Sequence, residues 1–146
     1  MIRVANRFDL EACKILLRAY ALELDIKALL EYDEPHIDKL LTEMIAGRGF
    51  VLIDERHRGM LAAIVTRNFW NPALLELQEV CFFVFPQFRK QIVGGRLWLK
   101  FNTLAEEMLK AKRVAMVFCS RQSGLKVESY GYRPIHETVV RECQLT

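Results

Sequence analysis

Two stretches of this chain carry residues whose types and spacing suit chemistry. The first is FPQFRKQIVGGRL, residues 85–97. A proline ends an apolar run, Arg89 and Lys90 follow, then Gly94-Gly95, and then an apolar-spaced segment begins. This reads as a strand feeding a loop and then a helix N-terminus. The first N–H groups of a helix are unpaired and its dipole is positive there, so the stretch suits a phosphate-like anion. Arg89 and Arg96 add charge-assisted contacts, and the glycines let the backbone come close. A loop that only joins a strand to a helix has the same local features. The second stretch is LQEVCFFVF (77–85), which carries Glu79. An otherwise apolar strand withholds water from that carboxylate and raises its pKa toward the range useful to a general base. A place near a solvated strand start, or a structural ion pair, is the alternative for Glu79.

Other reactive residues point to less. Cys13, Cys81, Cys119 and Cys143 have no C-x-x-C spacing and sit in segments that read as apolar helix or strand, so they are expected as buried reduced thiols. His36, His57 and His136 stand alone, and no metal site is expected. Cys119 and Ser120 end an apolar run and are placed to line a cleft. Tyr130 and Tyr132 flank Gly131 and read as packing aromatics. Phe69-Trp70 lies in an irregular stretch, where it suits a bound substrate, a partner interface or a loop anchor.

The elements that would position these residues can be read from apolar periodicity. IRVA (2–5) is a strand, and Asp9 stands where a helix N-cap would. Cys13, Leu16, Leu17, Tyr20, Ala21 and Leu24 then make one helical face. Pro35 suits a first turn, Ile37, Leu40, Leu41, Met44 and Ile45 make a second face, and Gly47 ends it. FVLID (50–54), the turn ERHRG and MLAAIVT (60–66) form a hairpin. LQEVCFFVF is apolar on both faces from Val80, as a central strand is. Leu97, Phe101, Leu104, Ala105 and Met108 share a helical face that makes Trp98 and Phe101 core or near-core. VAMVFC (114–119) is a strand, SGLKVES (123–129) a short helix and ETVVREC (137–143) a closing strand. The order is β-α-α-β-β-β-α-β-α-β, in one domain spanning 1–146.

That order, with the basic glycine loop between the fourth strand and the third helix, resembles the GNAT superfamily of acyl-CoA-dependent N-acyltransferases. IRVANRFDLEACKILL resembles the family's first strand and helix. VFPQFRKQIVGGRLWLKF resembles its strand, V-x-P, basic turn, glycine loop and helix. SYGYRPIHE resembles its G-[FY] turn. The resemblance covers nearly the whole chain and has the look of compact phage-encoded types. It implies an α/β fold: a mixed, mostly antiparallel sheet of about six to seven strands with about four helices on both faces. It also implies that the loop N–H groups bind the pyrophosphate of acetyl-CoA, used as co-substrate. The family pattern R/Q-x-x-G-x-G/A falls on Arg89-x-x-Ile92-x-Gly94, or in a shifted register on Gln91-x-x-Gly94-x-Arg96. The coenzyme-binding residues are then Phe83, Val84, Phe85, Arg89, Lys90, Gln91, Ile92, Val93, Gly94, Gly95 and Arg96. Ile92 replaces the first glycine, and a left-handed backbone there would cost about 1–2 kcal/mol. Many members carry a tyrosine four residues before the turn glycine, where this chain has Val127. Glu79 resembles the base glutamate of some protein-lysine acetyltransferases.

The function implied is direct acetyl transfer to a primary amine, with Glu79 or a water chain as base and Tyr130 as candidate acid. The acceptor is a small molecule or a protein. The rival reading is a non-catalytic GNAT-fold binding or structural protein, such as a virion or assembly component. A net charge of +3 with dispersed basic residues argues against nucleic acid. No apolar run is long enough for a membrane span and the N-terminus lacks a signal-peptide core, so a cytoplasmic location is expected. Sheet edges and apolar surface that need cover make a homodimer or an assembly partner an expectation.

Overall fold

The computed structural model of the 146-residue chain describes residues 1–31, 33–120 and 126–143. Strands β1 (Ile2–Val4), β2 (Gly49–Asp54), β3 (Gly59–Arg67), β4 (Leu75–Val84) and β5 (Met116–Phe118) form one sheet in the order β1-β2-β3-β4-β5. The first three pairings are antiparallel and β4–β5 is parallel. The helices are α1 (Leu10–Leu24), α2 (Lys27–Leu30), α3 (Glu34–Ile45) and α4 (Val93–Lys110). Among the described residues no helix is long and apolar enough to cross a membrane.

Both sheet faces are buried, so β2 and β3 are apolar almost throughout. One face presents Val51, Ile53, Met60, Ala62, Cys81 and Phe83 to Cys13 and Leu16 of α1 and Leu41 and Met44 of α3. The other presents Phe50, Leu52, Leu61, Leu77 and Val84 to α4. Helix α4 meets it with Val93, Leu97, Trp98, Phe101, Ala105 and Met108, a stripe at helical spacing.

The expected architecture holds, with fewer strands. Five strands stand among the described residues, against the six to seven expected. The closing strand does not form: residues 137–143 carry no ladder, and Val139 and Val140 are exposed. Alternating β-formers become a strand only when they pair, and residues 137–143 do not pair with the open edge of β5, the last strand of the sheet. Of the expected helix 123–129, residues 123–125 lie outside the described residues, and Val127–Tyr130 is a 3-10 turn. Cys143 is exposed rather than buried.

Asp9 is not the side-chain cap of α1. Its carboxylate turns back to accept from the Asn6 N–H at 2.8 Å and pairs with Arg3 at 2.6 and 2.8 Å. The Arg3 bonds outweigh the cost of burial and hold its pKa down at about 2. Pro35 and Gly47 take their expected places. The Gly47 N–H reaches Met44 and the Arg48 N–H reaches Glu43, which closes α3 in a Schellman motif.

Gly49 opens β2 at φ +142°, and a Cβ there would lie 2.1 Å from the Ala63 carbonyl oxygen. Gly47, at φ +125°, has open space around it. We expect Gly49→Ala to destabilise by about 2 kcal/mol or more, with Tm falling by about 6–10 °C. Gly47→Ala, which meets strain without overlap, should lose clearly less in the same melts. Equal losses would mean that β3 yields freely to the added methyl.

Candidate active site

The site forms where β4 and β5 part. Their ladder joins Glu76, Gln78 and the residue between them to Met116–Phe118 and then stops, while β4 continues to Val84. The parting begins at a bulge. Ala62 pairs with Cys81 and Ala63 with Glu79, so Val80 is an extra residue on β4. A bulge bends and twists its strand, which turns β4 away from β5 at this point. Val80 is exposed here, so the strand is not apolar and buried on both faces from Val80 as its composition suggested.

Glu79 sits at the fork, 7% exposed. The Ser120 N–H donates to its Oε2 at 3.3 Å. Burial raises its pKa above the ordinary carboxylate range, and the Ser120 contacts oppose that rise. Glu79 is buried rather than at a solvated strand start, and among the described residues no ion pair holds it. It lines a solvent-open groove of about 1700 Å³ together with Gln78, Cys119, Ser120, Tyr130 and Tyr132. Burial and the nearby Glu79 push the Cys119 thiol up to about 11, which leaves it protonated and a poor nucleophile at neutral pH.

The tyrosines converge on Trp98. Tyr130 meets its ring edge-on, with centroids 5.6 Å apart, and Tyr132 lies at 5.8 Å. Tyr132 is half-buried and its pKa is raised by burial, whereas Tyr130 is exposed at the groove. Val127 packs in the core on the α4 side of the sheet. The sequence pattern found Cys119, Ser120 and both tyrosines. It did not show that Trp98 is the platform that gathers the tyrosines.

The loop after β4 supplies the second half of the site. Phe85, Pro86 and Phe88 carbonyls accept from Phe88, Arg89 and Gln91, winding residues 85–91 into tight turns. Helix α4 then starts at Val93, and its first internal bond runs from the Arg96 N–H to the Ile92 carbonyl. Among the described residues nothing accepts from the N–H groups of Ile92, Val93, Gly94 and Gly95. They stand at the positive end of an 18-residue helix. Lys90 and Arg96 are exposed beside them.

Ile92 carries no backbone strain. It lies at φ −78°, ψ 0°, in the right-handed region, as the α4 N-cap. The expected left-handed cost does not arise, because no non-glycine residue of this loop has a positive φ. The glycines have another meaning. A Cβ at Gly95 would meet nothing within 4 Å, and one at Gly94 would make only ordinary contacts. Neither packing nor φ calls for glycine, so the space they leave is open to a ligand. The free N–H groups, flanking cations and open space fit a pyrophosphate.

The remaining loop residues have structural ties. Phe83 and Val84 are buried in the two opposite faces of the sheet. Phe85 is half-buried, with its ring edge-on to Phe83 at 5.4 Å. Arg89 donates from Nε to the Val84 carbonyl at 2.8 Å, pairs with Glu23 of α1 and lies 5.5 Å over the Phe83 ring. Gln91 accepts from Arg58 at 3.1 Å. Arg58 also forks onto the buried Asp54 at 2.7 and 2.9 Å, which anchors the loop to the β2–β3 turn. Read from sequence, that anchor is a plain turn; its signal was an aspartate and an arginine four residues apart around a hairpin.

No protein-family model matches the sequence, and no curated protein matches it. Solved structures do. A probable acetyltransferase aligns at 16% identity over 100% of this chain and 98% of its own, with a TM-score of 0.63. An aminoglycoside acetyltransferase from an uncultured soil metagenomic sample, solved with sisomicin, aligns at 17% identity over 100% and 96%, with a TM-score of 0.63. A GNAT family acetyltransferase from Staphylococcus aureus aligns at 18% identity over 98% of each chain, with a TM-score of 0.57. With its bulged β4, parted β5 and α4 behind the glycine loop, the chain has the fold of the GNAT acetyltransferases.

Proposed function

We propose that this protein is an N-acyltransferase that moves an acetyl group from acetyl-CoA to a primary amine. The observation that carries this reading is the placing of buried Glu79 at the β4–β5 fork, on the strand that leads into the free N–H groups of α4. Acetyl-CoA supplies an activated thioester. Ile92, Val93, Gly94 and Gly95 would hold its pyrophosphate by their N–H groups, with Lys90 and Arg96 alongside. The β4 edge that faces away from β3 beyond the end of the β4–β5 ladder would align the rest and polarise the acyl carbonyl. Glu79, its basicity raised by burial, takes the proton from the attacking amine directly or through water. Tyr130 or Tyr132 returns a proton to the departing sulfur.

The groove walls describe the acceptor. They carry Glu76, Glu79, Glu106 and Glu137 against Arg133, in a chain whose net charge is positive. Such walls favour a cationic amine of some bulk. The test is thermal stability with acetyl-CoA, using coenzyme A and ATP as controls. Ligand at about a hundred times its Kd should stabilise by roughly 2.7 kcal/mol, which raises Tm by about 5–10 °C. A shift with acetyl-CoA and coenzyme A but not ATP is the expected result. The absence of any shift at millimolar ligand would remove the coenzyme.

The exposed valines of the C-terminal stretch favour a second reading, a binding or assembly component on the same fold, including a homodimer. An assembly mass above the monomer together with no coenzyme response would support it. The cytoplasm is the location that suits acetyl-CoA use.

A further inference from the structure

Glu23 stands at the C-terminal end of α1, and its carboxylate pairs with Arg89 across to the loop that leads into α4. Both side chains are exposed, so the pair is open to exchange with a dissolved anion. Arg89 is held in place without Glu23. Its Nε donates to the Val84 carbonyl at 2.8 Å and its guanidinium covers Phe83, so its place beside β4 does not depend on Glu23. The segment after Glu23 is lightly held. Asp25 ends α1 in a left-handed conformation, and α2 buries none of its residues. Two ties on that elbow are the Arg18 bond to the Leu30 carbonyl and the Glu142 bond to the Ala28 N–H, both exposed.

We propose that Glu23 is an internal competitor for Arg89, a latch that an incoming anion releases. The latch rests on the reading of the α4 N-terminus as a pyrophosphate site. Without ligand, Arg89 ties the end of α1 to the end of β4. A pyrophosphate on the Ile92, Val93, Gly94 and Gly95 N–H groups carries more charge than one carboxylate and draws the guanidinium to itself. Glu23 is then left without its cation, and the elbow 24–31 loosens. Ligand binding at one end of β4 thus frees a segment that belongs to α1 and α2.

The sign of the effect separates a latch from a brace. Calorimetric titration with coenzyme A, and separately with inorganic pyrophosphate, compares wild type, Glu23→Gln, Arg89→Gln and the double variant at low salt. Glu23→Gln should bind both ligands about two- to fivefold tighter, the range an exposed ion pair supports. Arg89→Gln should bind more weakly, and adding Glu23→Gln to it should change nothing further. The gain should fade toward none as salt screens the pair. In wild type, saturating coenzyme A should speed amide exchange at residues 24–31 by about threefold or more, and in Glu23→Gln that exchange should be fast without ligand. If Glu23→Gln binds coenzyme A as wild type does, or more weakly, the latch is wrong and the coenzyme site stands. If wild type binds neither coenzyme A nor pyrophosphate at millimolar concentration, the site itself is wrong and the latch falls with it.

Discussion

Glu79→Gln should lower kcat by about 10²–10³-fold and leave the Kd for coenzyme A within about twofold of wild type. The amide keeps the size of the side chain and accepts the Ser120 N–H as the carboxylate does. It cannot take up a proton. Wild-type kcat/KM should rise with pH through the raised Glu79 pKa, because the base works only when ionised. The variant should lose that limb. Stability should move the opposite way. A carboxyl whose folded pKa lies above its unfolded value carries no ionisation penalty in acid. It acquires one as pH rises through the folded pKa. A neutral amide never ionises and has no such penalty, so the variant should melt higher than wild type at pH 8 and equally at pH 4. A variant that keeps wild-type turnover would move the base elsewhere. One that melts lower at pH 8 would show that the carboxylate is held by more than Ser120.

Gly95→Asp should weaken coenzyme A binding by about a hundredfold while leaving the fold as stable as before or slightly more so. Position 95 is the third residue of α4, where a carboxylate is favoured by the helix dipole, and Asp is a better helix former than Gly. A side chain there meets open space. Its effect falls on the ligand alone. A unit charge about 4 Å from a phosphate costs roughly 4 kcal/mol at an effective dielectric near 20, and a hundredfold is a conservative reading of that repulsion. Melting without ligand and titration with coenzyme A check the two halves. Unchanged affinity would place the pyrophosphate away from α4. A loss of stability would mean that the space above Gly95 is not open.

Much of the fold was legible because its signals are local. Helices α1, α3 and α4 announced themselves by apolar residues at spacings of three and four, and β2 and β3 by a tight turn between apolar runs. The basic glycine loop and Glu79 were legible for the same reason, since residue type and neighbours already determine charge and desolvation. What failed depended on partners distant in sequence. ETVVREC has the composition of a strand, but a strand exists only where a ladder is offered. Ile92 looked strained because a glycine pattern was read as a demand for positive φ, yet the turn is built from right-handed residues. Asp9 had the right type and place for a cap, but Arg3 and Asn6 drew its carboxylate the other way. The partner of Arg89 was hidden as well, since no spacing rule connects it to Glu23. The bulge at Val80 had no sequence signal of its own: it is a mismatch between β3 and β4, visible only when both are paired.

The sheet's spatial order is also its order along the chain, and this bears on synthesis. Strands β1 to β4 are complete once Val84 has been made, whereas α4 ends at Lys110, 26 residues later (110 − 84). At roughly 5–20 residues per second that interval is about 1–5 s. Hairpins form in microseconds, so β2–β4, with β1 alongside and α1 and α3 on one face, have time to assemble first. The other face, with Phe50, Leu52, Leu61, Leu77 and Val84, stays bare until α4 arrives. A nascent chain from which Val84 has left the ribosome while α4 has not therefore presents an apolar surface to whatever binds unfinished proteins, and slower elongation during that interval should lower the soluble yield.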